Sequence, residues 1–275
     1  RARRDEKIFA DKTMDSIKAI WPFSQSADKI VISREGTAWY LLAEVSAEEF
    51  LQADEWEECR GTLAAGGLMI PCEKDADSLI CGAQNGDLVR LPAEKLCAWQ
   101  GRQQIVRIGE APLAAACFCM ATDDILLISE KGQALRTHVS DLYRRVDIGG
   151  GLTKGMRMKT GTDDRLRCCL VYQPKRSLTA ISQQRKLLVL RVDGEEKAQL
   201  RAQGHVGEGV CLVHVEGSDG VADVLYADQA VLLLSDSGYA QCRDVSVLRE
   251  KGRRAKGIEG MKRGQVIRAV CAKVK

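Results

Sequence analysis

No stretch of the 275 residues holds about eighteen consecutive apolar side chains, the length a membrane-spanning helix needs, and the arginine-rich opening lacks the apolar core of a signal peptide. Neither membrane insertion nor secretion is expected, which makes the cytoplasm the expected compartment. Histidine is scarce (His138, His205 and His214) and no Cys-x-x-Cys occurs, so no ligand set for zinc is evident. Also missing are a glycine loop ahead of a Lys-Ser/Thr pair, a supportable serine-histidine-acid arrangement and a paired-carboxylate signature. Catalysis is therefore not expected of these residues, nor is a cofactor or metal. Helical periodicity is rare too, confined to Lys12 to Ile20, ending before Pro22, and a short piece from Ala47 to Ala53.

What is present is a soluble composition, 45% hydrophobic and 29% charged, in a chain long enough for one large repeat domain or two ordinary ones. Its opening on Arg1 rather than Met is the expectation for a piece of something longer. The 11 cysteines form no ladder of pairs; they fall in apolar strand-like runs such as "SLICG", "AACFCM", "LRCCLVY" and "GVCLV". They read as small buried hydrophobes of a reduced protein.

Charge is unevenly spread. Residues 41–80 carry ten acids against Arg60 and Lys74, whereas residues 241–275 carry eleven basic residues against Asp244, Glu250 and Glu259. Such asymmetry favours a surface that faces a polyanion on one side of the molecule.

The pattern of an acid, an apolar run, a polar corner ending in glycine and a second strand recurs. It appears as "DKIVISREGTAWYLL", "DSLICGAQNGDLVRL", "DDILLISEKGQALRT" and "DQAVLLLSDSGYAQCR", with a degenerate copy in "SLTAISQQRKLLVLR". The corner residues Gly36, Gly86, Gly132, Arg185 and Gly238 are 50, 46, 53 and 53 residues apart. Each copy predicts a β-hairpin, with glycine supplying the positive φ; Arg185 at that position predicts a longer or differently shaped turn. After the hairpin comes a glycine loop, in which Gly155-Met156-Arg157 matches Gly260-Met261-Lys262, and then a closing strand. Five all-β units of ~50 residues, covering 28–75, 76–121, 122–173, 174–224 and 225–275, predict blades around an axis. Residues 1–27 fall outside the repeat, as a linker or N-terminal segment in which Trp21 and Phe23 are expected to plug an open blade rather than stack on bases.

The segments "DDILLISEKGQALRTHVSDL" with "GMRMKTGTDD", and Asp228 to Gln265, resemble the repeating blade of the C-terminal domain of bacterial type IIA topoisomerase A subunits, those of DNA gyrase and topoisomerase IV. The resemblance spans about residues 28–272, strongest in the third and fifth units. It implies a five-bladed β-pinwheel, a propeller-like disc whose blades exchange strands and whose basic rim bends duplex DNA without reading its sequence. It also implies two protein partners, the catalytic core of the parent's A chain and the ATPase B chain, with no membrane and a nucleoid-associated place in the cytoplasm. The DNA-cleaving tyrosine, ATP and Mg belong to the parent enzyme, so Tyr40, Tyr143, Tyr172, Tyr226 and Tyr239 read as structural. Gyrase carries the box Gln-(Arg/Lys)-Arg-Gly-Gly-(Arg/Lys)-Gly in a first-blade loop. Here that loop, Glu48 to Gly67, is acidic and lacks it. Five units without the box fit the topoisomerase IV (ParC-like) chain better, the alternatives being a gyrase-type domain with a degenerate box and a propeller scaffold for acidic proteins.

The candidate DNA contacts lie in two glycine loops. The last holds Arg249, Lys251, Arg253, Arg254, Lys256, Lys262 and Arg263; the third unit's holds Arg144, Arg145, Lys154, Arg157 and Lys159. Cations spread along a phosphate track release counterions, each adding about 0.9 to the salt slope. The acidic first unit is expected to face away from DNA, to limit wrapping by repulsion, or to dock on the rest of the enzyme.

Overall fold

Four of the five polar corners close a hairpin by one recurring device. Gly36, Gly132, Arg185 and Gly238 donate their N–H to the carbonyls of Ser33, Ser129, Ser182 and Ser235 at 3.0–3.1 Å. Each of these serines also accepts, on its hydroxyl, the N–H of the residue that follows the corner, at 3.0–3.2 Å. A tight turn followed by one left-handed residue is a common short hairpin connection. The reshaped turn predicted at Arg185 does not occur: the residue adopts φ +71° and keeps the same length and hydrogen bond. Its guanidinium donates to the carbonyl of Lys262 at 3.3 Å, a contact glycine could not make.

The computed structural model describes residues 6–7, 27–73, 75–97, 101–142, 146–159, 161–193, 200–204 and 206–272. The hairpin strands are Lys29–Ile32 with Thr37–Leu41, Ser78–Ala83 with Leu88–Pro92, Asp124–Ser129 with Gln133–His138, Leu178–Ser182 with Lys186–Leu190, and Ala230–Ser235 with Tyr239–Asp244. To the first strand of each hairpin pairs a later one, respectively Leu68–Pro71, Leu113–Cys119, Leu166–Val171, Val221–Tyr226 and Val266–Ala272. These five sheets are blades 1 to 5 of a five-bladed β-pinwheel. The later strands face one another around a central channel of about 380 Å³, lined by Met69, Ala115, Arg167, Cys168, Asp223 and Arg268 among others.

The central strands of blades 2 to 4 are buried on both faces because a neighbouring blade covers each, which is why they read as continuous apolar runs rather than alternating ones. Ile30, Ile32, Leu79 and Cys81 join blades 1 and 2; Ile80, Leu127 and Leu166 join 2 and 3; Leu126, Ala180 and Val224 join 3 and 4; Ile181, Leu233 and Ala269 join 4 and 5. The ten described cysteines whose state is resolved are all free. Cys81, Cys117, Cys119 and Cys168 are buried as expected, whereas Cys169 and Cys211 are half-buried and Cys271 is exposed.

The outermost position of each blade is filled from elsewhere. The segment between a hairpin and its inner strand, here termed a strap, crosses to the edge of the preceding blade. Arg102–Gln104 pairs with Thr37–Leu41, Val210–Cys211 with Gln133–His138, and Ile258–Glu259 with Lys186–Leu190. Thr153 bridges Leu88 in the same sense. Blade 5 takes Glu6–Lys7 instead, with Glu6 opposite Ala240 and Lys7 opposite Tyr239.

Blade 1 has no strap. Its corresponding segment, largely a loop by its sequence pattern, folds into the helices Ala47–Gln52 and Glu57–Ala64, joined by a short 3-10 turn. Ser46 and Glu49 form a reciprocal capping box at the first helix. Phe50, Cys59 and Leu63 cover Val31, Trp39, Leu41 and Met69 on the face of blade 1 away from blade 2. The helix expected over Lys12 to Ile20, together with Trp21 and Phe23, lies outside the described residues.

Candidate nucleic-acid interface

The straps touch one another as well as the blades they cross. Arg254 donates its N–H to the Leu212 carbonyl at 3.0 Å, linking the straps of blades 5 and 4. Arg157 donates to Gly207 at 2.8 Å, linking those of blades 4 and 3. Gly149 donates to Ile105 at 2.8 Å, and Gly150 pairs with Val106, linking those of blades 3 and 2. The result is a continuous backbone belt along the outer edges of blades 4, 3, 2 and 1.

Each strap is pinned where it passes a hairpin corner. Ile105, Val106, Met156, Leu212, Val213 and Met261 are at most 2% exposed there. The pins explain the repeated Gly-Met-basic motif. Met156 and Met261 plug the interfaces between blades, so the next residues, Arg157 and Lys262, are turned out to solvent. Gly155 precedes the pin because a Cβ there would lie 2.4 Å from Leu88 Cγ.

Of the residues singled out in the last loop, Arg249, Lys251, Arg254, Lys256, Lys262 and Arg263 are exposed. Arg253 is half-buried and reaches the Cys211 carbonyl at 3.5 Å, so it ties two straps together. Arg263 donates to Tyr239 Oη at 3.0 Å and lies over the same ring, 5.3 Å from its centroid. Lys256 meets Glu216 at 3.5 Å, and Lys251 Nζ donates to the Lys256 carbonyl at 3.1 Å. In the third unit's loop Lys154, Arg157 and Lys159 are exposed, with Lys154 3.3 Å from Asp87. Arg144 and Arg145 lie outside the described residues.

Two basic stretches thus sit on one belt, separated by the strap of blade 4, whose exposed charges among the described residues, Arg191, Arg201, Glu208 and Glu216, are mixed in sign. The strap of blade 2 adds Arg102 and Arg107, which the sequence pattern does not single out. A signal was available, since Arg102 opens a strap equivalent to those of blades 3 and 5, but it carries no Gly-Met-basic motif.

At the blade 1 end the belt meets acid. Arg102 Nη2 lies 3.0 Å from Glu58 Oε1 on the second helix, and its guanidinium sits 5.7 Å from the centroid of Trp39. A surface pair of this kind contributes up to about 1 kcal/mol and is screened by salt.

No protein-family model matches the chain. Among curated proteins it is 30% identical over 161 residues, 56% of its length, to the DNA gyrase A proteins of Mycobacterium bovis and of Mycobacterium tuberculosis. That alignment spans 18% of those relatives, so the chain corresponds to a small part of them. Among solved structures, a DNA gyrase A C-terminal domain matches 97% of the chain and 89% of itself, with a TM-score of 0.77 at 16% identity. The C-terminal domain of a DNA topoisomerase IV matches 92% of the chain and 84% of itself, at a TM-score of 0.68 and 12% identity. The E. coli ParC C-terminal domain gives 0.58 over 88% of the chain and 97% of itself, at 15% identity. The chain therefore has the β-pinwheel fold of gyrase A and topoisomerase IV C-terminal domains and is similar in sequence to DNA gyrase A.

Proposed function

We propose that this β-pinwheel binds and bends duplex DNA on its strap belt, as the C-terminal domain of the A chain of a type IIA topoisomerase. There it presents or selects the transported segment during supercoil relaxation and decatenation. The observation that carries this reading is the belt itself: backbone pinned by buried Met156 and Met261, with exposed Lys154, Arg157, Lys159, Lys256 and Lys262 displayed along it. Bending a 20–30 base-pair duplex through 40–90° costs on the order of 1–6 kcal/mol, so several rim contacts have to act together. Cations held on a rigid edge meet that need at a smaller ordering cost than cations on free loops. The proposed protein partners are the parent's catalytic core and its ATPase chain, and ATP and Mg act there rather than here.

Five blades and an acidic segment in place of the gyrase box favour topoisomerase IV-like handling of DNA, with a short wrap. A gyrase-type wrapping domain is the second reading, favoured by the 30% identity to DNA gyrase A. The handedness of supercoils trapped by the purified domain separates the two.

The test of DNA binding is duplex affinity measured across a salt series. Arg249→Gln, Lys256→Gln and Lys262→Gln together remove exposed charge while leaving Arg253, which holds two straps together, in place. The expected result is weaker binding to duplexes of any sequence and a slope shallower by about 0.9 for each lost contact. Unchanged affinity and slope would remove this surface from consideration and leave the scaffold reading, in which the loops meet acidic proteins.

A further inference from the structure

In units 2 to 5 the segment between hairpin and inner strand is a strap laid on the preceding blade, and its exposed residues form the belt. Unit 1 has the same segment at the same place in the repeat, yet it folds into two helices packed on its own blade. The strap's position on blade 5 is taken by Glu6–Lys7. Against the basic straps of units 3 and 5 the unit 1 segment is strongly acidic: residues 42–67 hold seven acids against Arg60. Asp54, Glu55, Glu57 and Glu58 are exposed and, with Arg34 and Glu35 of the blade 1 corner, border one groove. From there Glu58 reaches Arg102, a cation of the neighbouring strap.

We infer that the acidic helix pair of blade 1 is an electrostatic stop: it pairs with Arg102 and ends the DNA track at blade 1, which fixes the length of duplex the disc can hold. The inference rests on the duplex-binding reading of the belt. Phosphates approaching blade 1 meet carboxylates within about one Debye length, ~10 Å at 0.1 M salt. Among the described residues no apolar cluster joins blade 5 to blade 1, so the helices stand at the seam of the disc. A duplex running along the belt from blade 4 towards blade 1 is turned away there rather than carried round to its starting point.

The test neutralises the stop without touching its packing or its cap: Asp54→Asn, Glu55→Gln, Glu57→Gln and Glu58→Gln, leaving Ser46, Glu49, Phe50, Cys59 and Leu63 in place. Parent and variant are compared by hydroxyl-radical footprinting on a long duplex and by affinity across a salt series, with circular dichroism confirming equal folding. The expected result is a longer protected segment, tighter binding by several fold at low salt and a steeper salt slope. The difference should shrink as salt rises. Adding Arg102→Gln should cancel part of the gain in the neutralised variant and do little in the parent, where Glu58 already occupies that side chain. A footprint and slope unchanged by neutralisation, or a gain that Arg102→Gln leaves intact, overturns the stop while the belt reading stands. A parent chain that binds no duplex overturns both.

Discussion

Gly132 holds two roles at one atom. Its φ of +81° disfavours any residue with a Cβ, and a Cβ there would stand 2.1 Å from the carbonyl oxygen of Val213, on the strap that crosses this corner. Gly161 has a similar φ, +78°, with nothing within 4 Å of the same position. Gly161→Ala is expected to cost about 1–2 kcal/mol for the left-handed backbone alone. Gly132→Ala adds overpacking of about 1–3 kcal/mol and is expected to be clearly the worse of the two. Urea denaturation of both variants checks this, and equal losses would show that the strap yields to the added methyl. The corner glycines were legible in the sequence because they recur at a near-constant interval. The serine three residues ahead of four of the corners was equally regular, "ISREG", "ISEKG", "ISQQR" and "LSDSG", and it explains why Arg185 keeps the common turn. A rule built on glycine alone could not anticipate that.

Within the first three hairpins, the acid that opens the repeat has a partner near the end of the second strand. Asp28 accepts from Tyr40 Oη at 2.6 Å, Asp77 lies 3.6 Å from Arg90, and Asp124 2.6 Å from Arg136, whose guanidinium stacks 3.8 Å from the centre of the Tyr172 ring. These arginines latch hairpins rather than face solvent. Burial pushes the Asp77 carboxyl up, but the Ser78 hydroxyl, the Ala121 N–H and Arg90 outweigh it and hold the group below its ordinary value. Because the folded value is the lower one, this stabilisation is present above the unfolded carboxylate value of about 3.9 and is lost as pH falls through the folded one. Asp77→Asn is expected to cost about 0.5–1 kcal/mol at pH 7, a figure reduced for the partly exposed carboxylate, and progressively less below pH ~3.9. Thermal melts over that pH range check it. Hairpins were readable because their contacts are local. The straps were not, since two-residue pairings such as Val210–Cys211 leave no periodicity. The helix at Glu57–Ala64 escapes a sequence pattern because it is one short acidic element with only Cys59 and Leu63 buried.

At the level of the disc, the repeat count and the basic loops could be read directly, but the charge break at blade 1 could not be placed. Its meaning depends on Glu58 meeting a residue 44 positions away along the chain, at Arg102. The pairing of Glu6–Lys7 with blade 5 was equally out of reach, since it joins residues more than two hundred apart. Removal of residues 1–26 is expected to speed hydrogen exchange in Tyr239–Asp244 while leaving Asp124–Ser129 protected, with mass spectrometry after short labelling as the readout. Uniform exchange across blades 3 and 5 in that variant would mean that the first strand stabilises the whole disc rather than its last sheet. Because each strap belongs to one repeat and lies in the sheet of another, consecutive repeats are stitched like links in mail. A single backbone nick between two blades leaves each fragment holding a strand inside the other's sheet, so the pieces stay together until the fold itself melts.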